Sequence, residues 1–434
     1  DVLKVPEVKV HDDFFAMGGD SISVIDVLHR MSERFGQVPK PLDFYRNPTV
    51  REIAEMVDQL NQNNGPGQEL QSETESRSGG DSFPLSLSQK GFLLAQKMSP
   101  DSSPNWCVAI PMTGVLKISF IQRAVDYLID RHQMLRTVFT AHGKTTVQTV
   151  LPPQPFPIPV DDLRLGSNAD TDAHVARRFE ELAAKVFAAD VWPLFALHLI
   201  LTGSESGYML VSIHHAIGDA WSLHVLCNEL HQLYDAFMNS EQPYLPEISS
   251  VYRDVVEYYR KAALQAAPER VEVSKQFWRD AFSSLPVPLC SIQGAEHKAA
   301  PEHHHTSHLL AAEEKTAIQV WCKDTGTRPF LLFLTIWARV IHRFTNCAEG
   351  MVGVSLSGRE IPVQDVGRLF GCFAEGLPLR FSLLEKDLVD QIVTIESVFL
   401  ASLEHREPPV NPLVERLLAT PGATLSDAYP FFFS

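Results

Sequence analysis

Two apolar runs dominate the middle of the chain. FALHLILTG (195–203) and GYMLVSIHH (207–215) are β-prone and bounded by glycine, the pattern of strands buried on both faces. Directly after them, AWSLHVLCNELHQLYDAF sets Leu223, Leu226, Leu230, Leu233 and Phe237 on one face of a helix. Upstream, FIQRAVDYLIDRHQMLRTVF predicts a helix running toward a strand. Residues 252–285 are largely helical in pattern, and a second alternation of strands and helices occupies 306–434.

The N-terminal sixty residues differ in character. SISVIDVLHRMSERFG spaces Val24, Leu28, Met31 and Phe35 along one helical face, closed by Gly36. A second helix is predicted over TVREIAEMVDQLN, entered at Pro48-Thr49 and carrying Val50, Ile53, Ala54 and Val57. Between the blocks, residues 61–82 contain a single hydrophobic residue, Leu70. Such a segment cannot bury enough surface to fold, so it reads as a flexible linker. The division is therefore an all-α block at 1–60, a linker at 61–82, and a mixed α/β region whose halves are placed at 83–255 and 256–434.

At 434 residues there is room for two or three domains, and 45% hydrophobic with 21% charged residues is ordinary globular usage. A net charge of −16 argues against nucleic acid or an anionic membrane as partner. No run has membrane-spanning length, and no stretch reads as a secretory leader. The six cysteines (Cys107, Cys227, Cys290, Cys322, Cys347, Cys372) are dispersed without a CxxC pair, which fits reduced thiols in a cytoplasmic setting. Beginning mid-phrase at Asp1 and stopping at YPFFFS, the chain reads as a piece of something larger.

Two constellations could carry chemistry. Gly18-Gly19-Asp20-Ser21 has a bland reading, in which Asp20 caps a helix and the glycines make the turn. It also has a sharper one, in which Ser21 is modified, since a helix N-terminus with free N–H groups favours a phosphodiester. HHAIGDAWS (His214, His215, Asp219, Trp221, Ser222) lies between a buried strand and a helix. Its bland readings are metal ligation, a satisfied core histidine and helix capping. Neighbours on a strand point to opposite faces, and no Cys or Glu stands at a helpful spacing, so no metal is expected. Three decoys rank lower. GVSLSG has Ser357 where a nucleophile elbow needs glycine, HGKTT lacks the upstream glycine of a phosphate loop, and EHHHTSH (302–308) reads as a polar loop.

DDFFAMGGDSISVIDVLHRM followed by FYRNPTVREIAEMV resembles the peptidyl carrier domain of nonribosomal peptide synthetases, over residues 1–60 and without most of the family's first helix. The resemblance implies a small helical bundle in which Ser21 carries 4′-phosphopantetheine. Ile22 and Ile25 would then be candidates for partner docking. The His-His-x-x-x-Asp-x-Trp-Ser pattern is similar to the active-site motif of condensation domains, relatives of chloramphenicol acetyltransferase. LSLSQKGFLL (Ser86, Gln89), RHQMLRT (Arg131, His132, Leu135, Arg136, Thr137), YRDVVEY (Tyr252, Asp254), SGRE (Gly358, Arg359) and GRLFGCFAEGLPLR follow in the family's order. The fold this implies is two acetyltransferase-like α/β lobes in a V.

Amide formation from a thioester needs a neutral amine and passes through an oxyanion, and imidazole is the side chain best matched to that proton near neutral pH. The role falls to His215, with His214 structural beneath it. By resemblance Asp219 pairs with Arg359, while Trp221, Ser222 and Arg136 support the site. The implied partners are a phosphopantetheinyl transferase, an upstream adenylation domain, a downstream acceptor carrier and aminoacyl or peptidyl thioesters. The sequence departs from the family at Ala220, at Glu375-Gly376 in place of Asn-Thr, and at EHREPP. It also stops inside the last family motif. Two other functions share this framework. An epimerisation domain is favoured by Asp20-Ser21-Ile22 but not by DAWSLHVL. A non-catalytic recruitment platform is argued against by the intact histidines.

Overall fold

The computed structural model describes residues 81–283 and 308–406 apart from short gaps at 99, 102, 144, 165–167, 347 and 384–386. It also describes most of residues 2–63, with gaps that include 20–23 and 36–38, and residues 410, 415, 432 and 433. The chain divides into two compact units. One comprises Asp1–Leu70, Lys261–Glu360 and Glu375–Ser434, the other Gln71–Arg260 and Ile361–Ala374.

In the first unit the N-terminal block is helical. Its described residues from 24 to 35 are helical, followed by α1 (Pro41–Arg46) and α2 (Val50–Asn63). Thr49 and Glu52 cap α2 reciprocally. Thr49 N and Oγ1 donate to the Glu52 carboxylate, and Glu52 N donates to Thr49 Oγ1. Phe14, Phe15, Val24, Leu28, Phe44 and Ile53 form the core. Phe35, expected on the face of Val24 and Leu28, is instead half exposed at 50%. It lies beyond the reach of that small core, with Arg34 over its ring. The predicted linker is outside the described residues from 64 to 80.

The second unit holds two sheets. β1 (Ser82–Pro84) precedes α3 (Leu87–Met98), β2 (Asn105–Thr113) and α4 (Ile118–Arg131), after which come β3 (Thr137–His142), β4 (Thr145–Val150), β5 (Val160–Asp162) and α5 (Asn168–Ala183). β6 (Phe195–Gly203) and β7 (Ser206–His214) are the two apolar runs, and α6 (Ala220–Met238) and the part of α7 (Tyr252–Gln265) up to Arg260 complete the helices. The larger sheet has the order β2-β7-β6-β5, with β7 antiparallel to both neighbours. α4 and α6 pack on each other, while α5 packs on β2 and β7. Both faces of β7 are thus covered, which explains why its sequence is apolar rather than alternating. HGKTT is the tight hairpin between β3 and β4, with Gly143 at φ 63°, so its glycine serves a turn.

Residues 361–374 join this second unit through Val366, Leu369, Phe370, Cys372 and Phe373, which lie in its core. The rest of the C-terminal half belongs to the first unit. It consists of α8 (Pro268–Phe282), α9 (Ala312–Thr325), α10 (Pro329–Thr345), β8 (Glu349–Leu356), β9 (Glu375–Ser382), α11 (Leu388–Glu404) and β10 (Phe432–Phe433). β8 is the middle strand of β10-β8-β9. It runs into Ser357 without a following helix, and Ser357 Oγ donates to Glu360, so GVSLSG is no nucleophile elbow. Glu375-Gly376 opens β9 opposite Leu356 and Ser355. Among the described residues no helix is long and apolar enough to cross a membrane.

α4 and α6 are tied by a buried ionic knot. The Glu229 carboxylate accepts from Arg131 Nε at 3.1 Å and lies 2.7 Å from His132 Nε2. Burial pushes the Glu229 carboxyl up, but His132 and Arg131 bring it net below its ordinary value. Glu229→Ala leaves Arg131 and His132 without their acceptor. It is expected to cost about 3–5 kcal/mol, measured as a fall in the urea midpoint at unchanged m-value.

Candidate active site

β7 ends at His214, and residues 215–219 turn into α6. His214 is fully buried, and both of its ring nitrogens are used. Ala216 N–H donates to Nδ1 at 3.1 Å, and Nε2 lies 3.1 Å from Gln96 Oε1. The Gln96 amide can face only one way, because its Nε2 donates to Phe187 O at 2.6 Å and Ser103 Oγ at 3.0 Å. Oε1 is therefore the acceptor, and His214 carries its proton on Nε2. Burial first, and the neighbouring His215 second, push the His214 pKa down to about 4.

His215 is placed differently. Its backbone N–H donates to Pro104 O at 2.7 Å, and its ring stacks on Phe92 with centroids 4.0 Å apart and planes 14° from parallel. Nδ1 is buried with no hydrogen-bond partner. Burial lowers the ring's pKa, opposed by the backbone of His215 and Gly218 and by the Asp219 carboxylate. A neutral imidazole is thus held beside a pinned one, and the neutral form is the one that can accept a proton.

The turn beyond is anchored by Asp219, which is 3% exposed. Oδ1 accepts from Ser222 N and Oγ, both at 2.8 Å, and Oδ2 from Phe373 N at 3.0 Å and Ala374 N at 3.2 Å. Ser222 Oγ also accepts from Gly371 N at 3.0 Å and lies 2.8 Å from Gly371 O. Trp221 Nε1 donates to Gly367 O at 2.7 Å, and Tyr252 Oη donates to Cys372 O at 2.5 Å. There is no room for side chains here. A Cβ on Gly371 would lie 2.4 Å from the Tyr252 ring, and one on Gly218 would lie 3.0 Å from Phe370. From the other side Gln89 Nε2 donates to Ala216 O at 3.0 Å and to Gln148 at 2.9 Å.

Of the residues expected at the site, His214, His215, Asp219, Trp221 and Ser222 come together in this turn. Arg136 instead caps backbone carbonyls of Ile129, Asp130 and Leu151. Arg359 follows β8 in the first unit and is 1% exposed. Ser21, Ile22 and Ile25 lie outside the described residues, as do 302–307 of EHHHTSH. The turn before Ser21 is described. Gly18 has φ 96°, and a Cβ on Gly19 would lie 2.2 Å from the Phe14 ring, so both glycines are required by shape. Sequence reasoning missed Gln96 and Phe92. The available signal was Gln96 two helical turns after Gln89, a second glutamine on the buried side of α3.

A family model of the condensation domain matches residues 80–426, and one of the phosphopantetheine attachment site matches residues 1–57. A linear gramicidin synthase from Brevibacillus parabrevis is 25% identical over 440 residues, taking in 100% of this chain but 8% of that protein. A phosphinothricin tripeptide synthetase from Streptomyces viridochromogenes is 25% identical over 96% of this chain and 35% of its own length. The chain thus spans a small part of these relatives. Among solved structures, the first condensation domain of the calcium-dependent antibiotic synthetase, with a substrate analogue, has a TM-score of 0.66 at 19% identity over 75% of each chain. The X-domain from teicoplanin biosynthesis has 0.64 at 19% identity over 78% of this chain and 74% of that one. The fold is common to both.

The depressed His214 pKa makes stability pH-dependent. The unfolded chain takes up a proton near 6.5, whereas the folded chain does so only near pH 4. The contribution is complete above the unfolded value and lost as pH falls from 6.5 to 4, by about 3 kcal/mol. Urea midpoints should drop across that window, and His214→Gln should flatten the slope.

Proposed function

The chain belongs to the condensation-domain family, preceded by a phosphopantetheine attachment domain, and from that premise we propose that Ser21 holds the acyl donor and His215 manages the proton of the acceptor amine. The family forms peptide bonds in nonribosomal peptide synthesis, as an acyltransferase. The phosphopantetheine arm, when bound, supplies a thiol that carries the acyl unit as a thioester. Toward it, Gly18 and Gly19 shape the turn and Phe14 anchors that turn in the core.

The observation that carries this reading is the contrast between the two imidazoles. His214 spends both nitrogens on Gln96 and Ala216, whereas His215 keeps Nδ1 unpartnered and its ring below the ordinary pKa. His215 is then neutral at physiological pH and available to take or order the amine proton. The buried Asp219 is a positioning residue, because four donors engage its carboxylate. The partners this implies are a phosphopantetheinyl transferase, an upstream adenylation domain and a downstream acceptor carrier. Cys107, Cys227, Cys322 and Cys372 are free cysteines, and we place the protein in the cytoplasm.

Incubation with coenzyme A and a phosphopantetheinyl transferase should add one arm to the wild-type protein and none to Ser21→Ala, read by intact mass. No gain in the wild type would end the carrier assignment. With a donor loaded and an acceptor amine supplied, His215→Ala should lose about 10²–10⁴-fold in rate. Undiminished product would remove the proton role, and racemisation of the loaded residue without an acceptor would redirect the reading to epimerisation.

A further inference from the structure

Within the first unit, the N-terminal helical domain meets the face formed by α10 and α11 at Arg328. This residue, immediately before α10, places its guanidinium 4.6 Å from the centroid of the Phe15 ring. Its Nη2 donates to the Tyr45 carbonyl at 2.7 Å, and its Nη1 lies 3.7 Å from Glu396 of α11. The Tyr45 ring stacks on Phe15 at 5.1 Å and meets Phe399 of α11 edge-on at 6.3 Å. At the margin, Arg46 and Glu404 pair at 2.9 Å with both side chains about half exposed.

The chemistry of this contact is unequal. Phe15 and Phe399 are 4% exposed, so Arg328 sits over a desolvated aromatic face where cation–π attraction is strongest. It also makes a charge-assisted hydrogen bond to a carbonyl in the last turn of α1, of the stronger class. The Arg46–Glu404 pair is solvent-screened and weak. One strong point and a weak rim hold a domain without making the hold permanent.

We propose that Arg328 is a docking determinant that seats this chain's own carrier domain, residues 1–63, reversibly on the α10–α11 face. The proposal rests on the carrier reading above and adds to it the surface on which the carrier is held. A carrier that is to be loaded by other enzymes has to leave such a seat and return, and the contact has the composition for that exchange.

Backbone 15N relaxation of the carrier residues in the full, unloaded chain tests this. In the wild type the carrier should tumble with the whole molecule. Arg328→Ala should lower the docked-to-released ratio by roughly tenfold to a hundredfold, the value of a hydrogen bond to a charged group, and give the carrier faster local motion. Arg46→Glu or Glu404→Arg, at exposed positions that cannot disturb the core, should each lower the ratio by roughly two- to fivefold, and the double charge swap should restore it. A wild-type carrier that already tumbles independently, an Arg328→Ala chain without faster carrier motion, or a swap that fails to restore docking would each overturn the proposal. Intact mass after transferase treatment separates the two readings. Arm uptake with tumbling insensitive to Arg328 sinks the docking site alone. Arg328-dependent docking without arm uptake sinks the carrier assignment.

Discussion

The geometry of the histidine turn depends on burying one charge, the Asp219 carboxylate. A carboxylate taken out of water is tolerable only when its lone pairs are engaged, and here each oxygen accepts two hydrogen bonds. The donors come from two places far apart in sequence, the first turn of α6 and the backbone of residues 373–374. The charge thus ties the α6 cap and the turn behind His215 to the segment 361–374. The tight clearances at Gly218 and Gly371 have the same origin, since both glycines lie where those pieces meet.

The division of labour between the two histidines follows from that frame. β7 ends at His214, so the two rings meet different neighbours on α3: one is buried beside Gln96, and the other stacks on Phe92 one turn earlier. Their mutual repulsion is among the causes that lower the His214 pKa, so a second proton in this pocket is disfavoured. The ring with both nitrogens engaged is the worse acceptor, which leaves His215. On the proposed assignment, the neutral state of His214 is a condition for His215 to receive a proton, beyond its value for packing.

Much of this was legible in the sequence, and the reasons are local. β6 coincides with FALHLILTG, and β7 covers most of GYMLVSIHH, because fully buried strands must be apolar along their whole length. α6 was legible from its leucine spacing and from Asp219 as a cap. The assignment of residues 361–374 to the second unit was not, because apolar side chains such as Val366, Leu369 and Phe370 do not say which core they enter, and the polar ties at Phe373, Ala374, Gly371 and Cys372 are backbone N–H and C=O, which every residue has. Gln96 and Phe92 escaped for a related reason. A glutamine and a phenylalanine in an amphipathic helix carry no mark of what lies opposite. Phe35 failed in the other direction, because periodicity assigns a face but cannot say how far a small core extends along it.

Two charged anchors, Asp219 and Arg328, differ in what they can permit. Asp219 is enclosed, and the hydrogen bonds it accepts from Ser222, Phe373 and Ala374 are made inside one unit, with little water at hand to replace any that is lost. Arg328 is one-fifth exposed, at 19%, and water can replace its partners when they leave. The penalty for opening the first contact is the desolvation of a carboxylate already committed to the core. For the second it is only the difference between an aromatic face with a carbonyl and a hydration shell. Burial, more than the number of hydrogen bonds, therefore decides which contact is fixed for the life of the fold and which can exchange. By that criterion the histidine turn is a permanent structure, and the proposed seat of the carrier is one that can exchange.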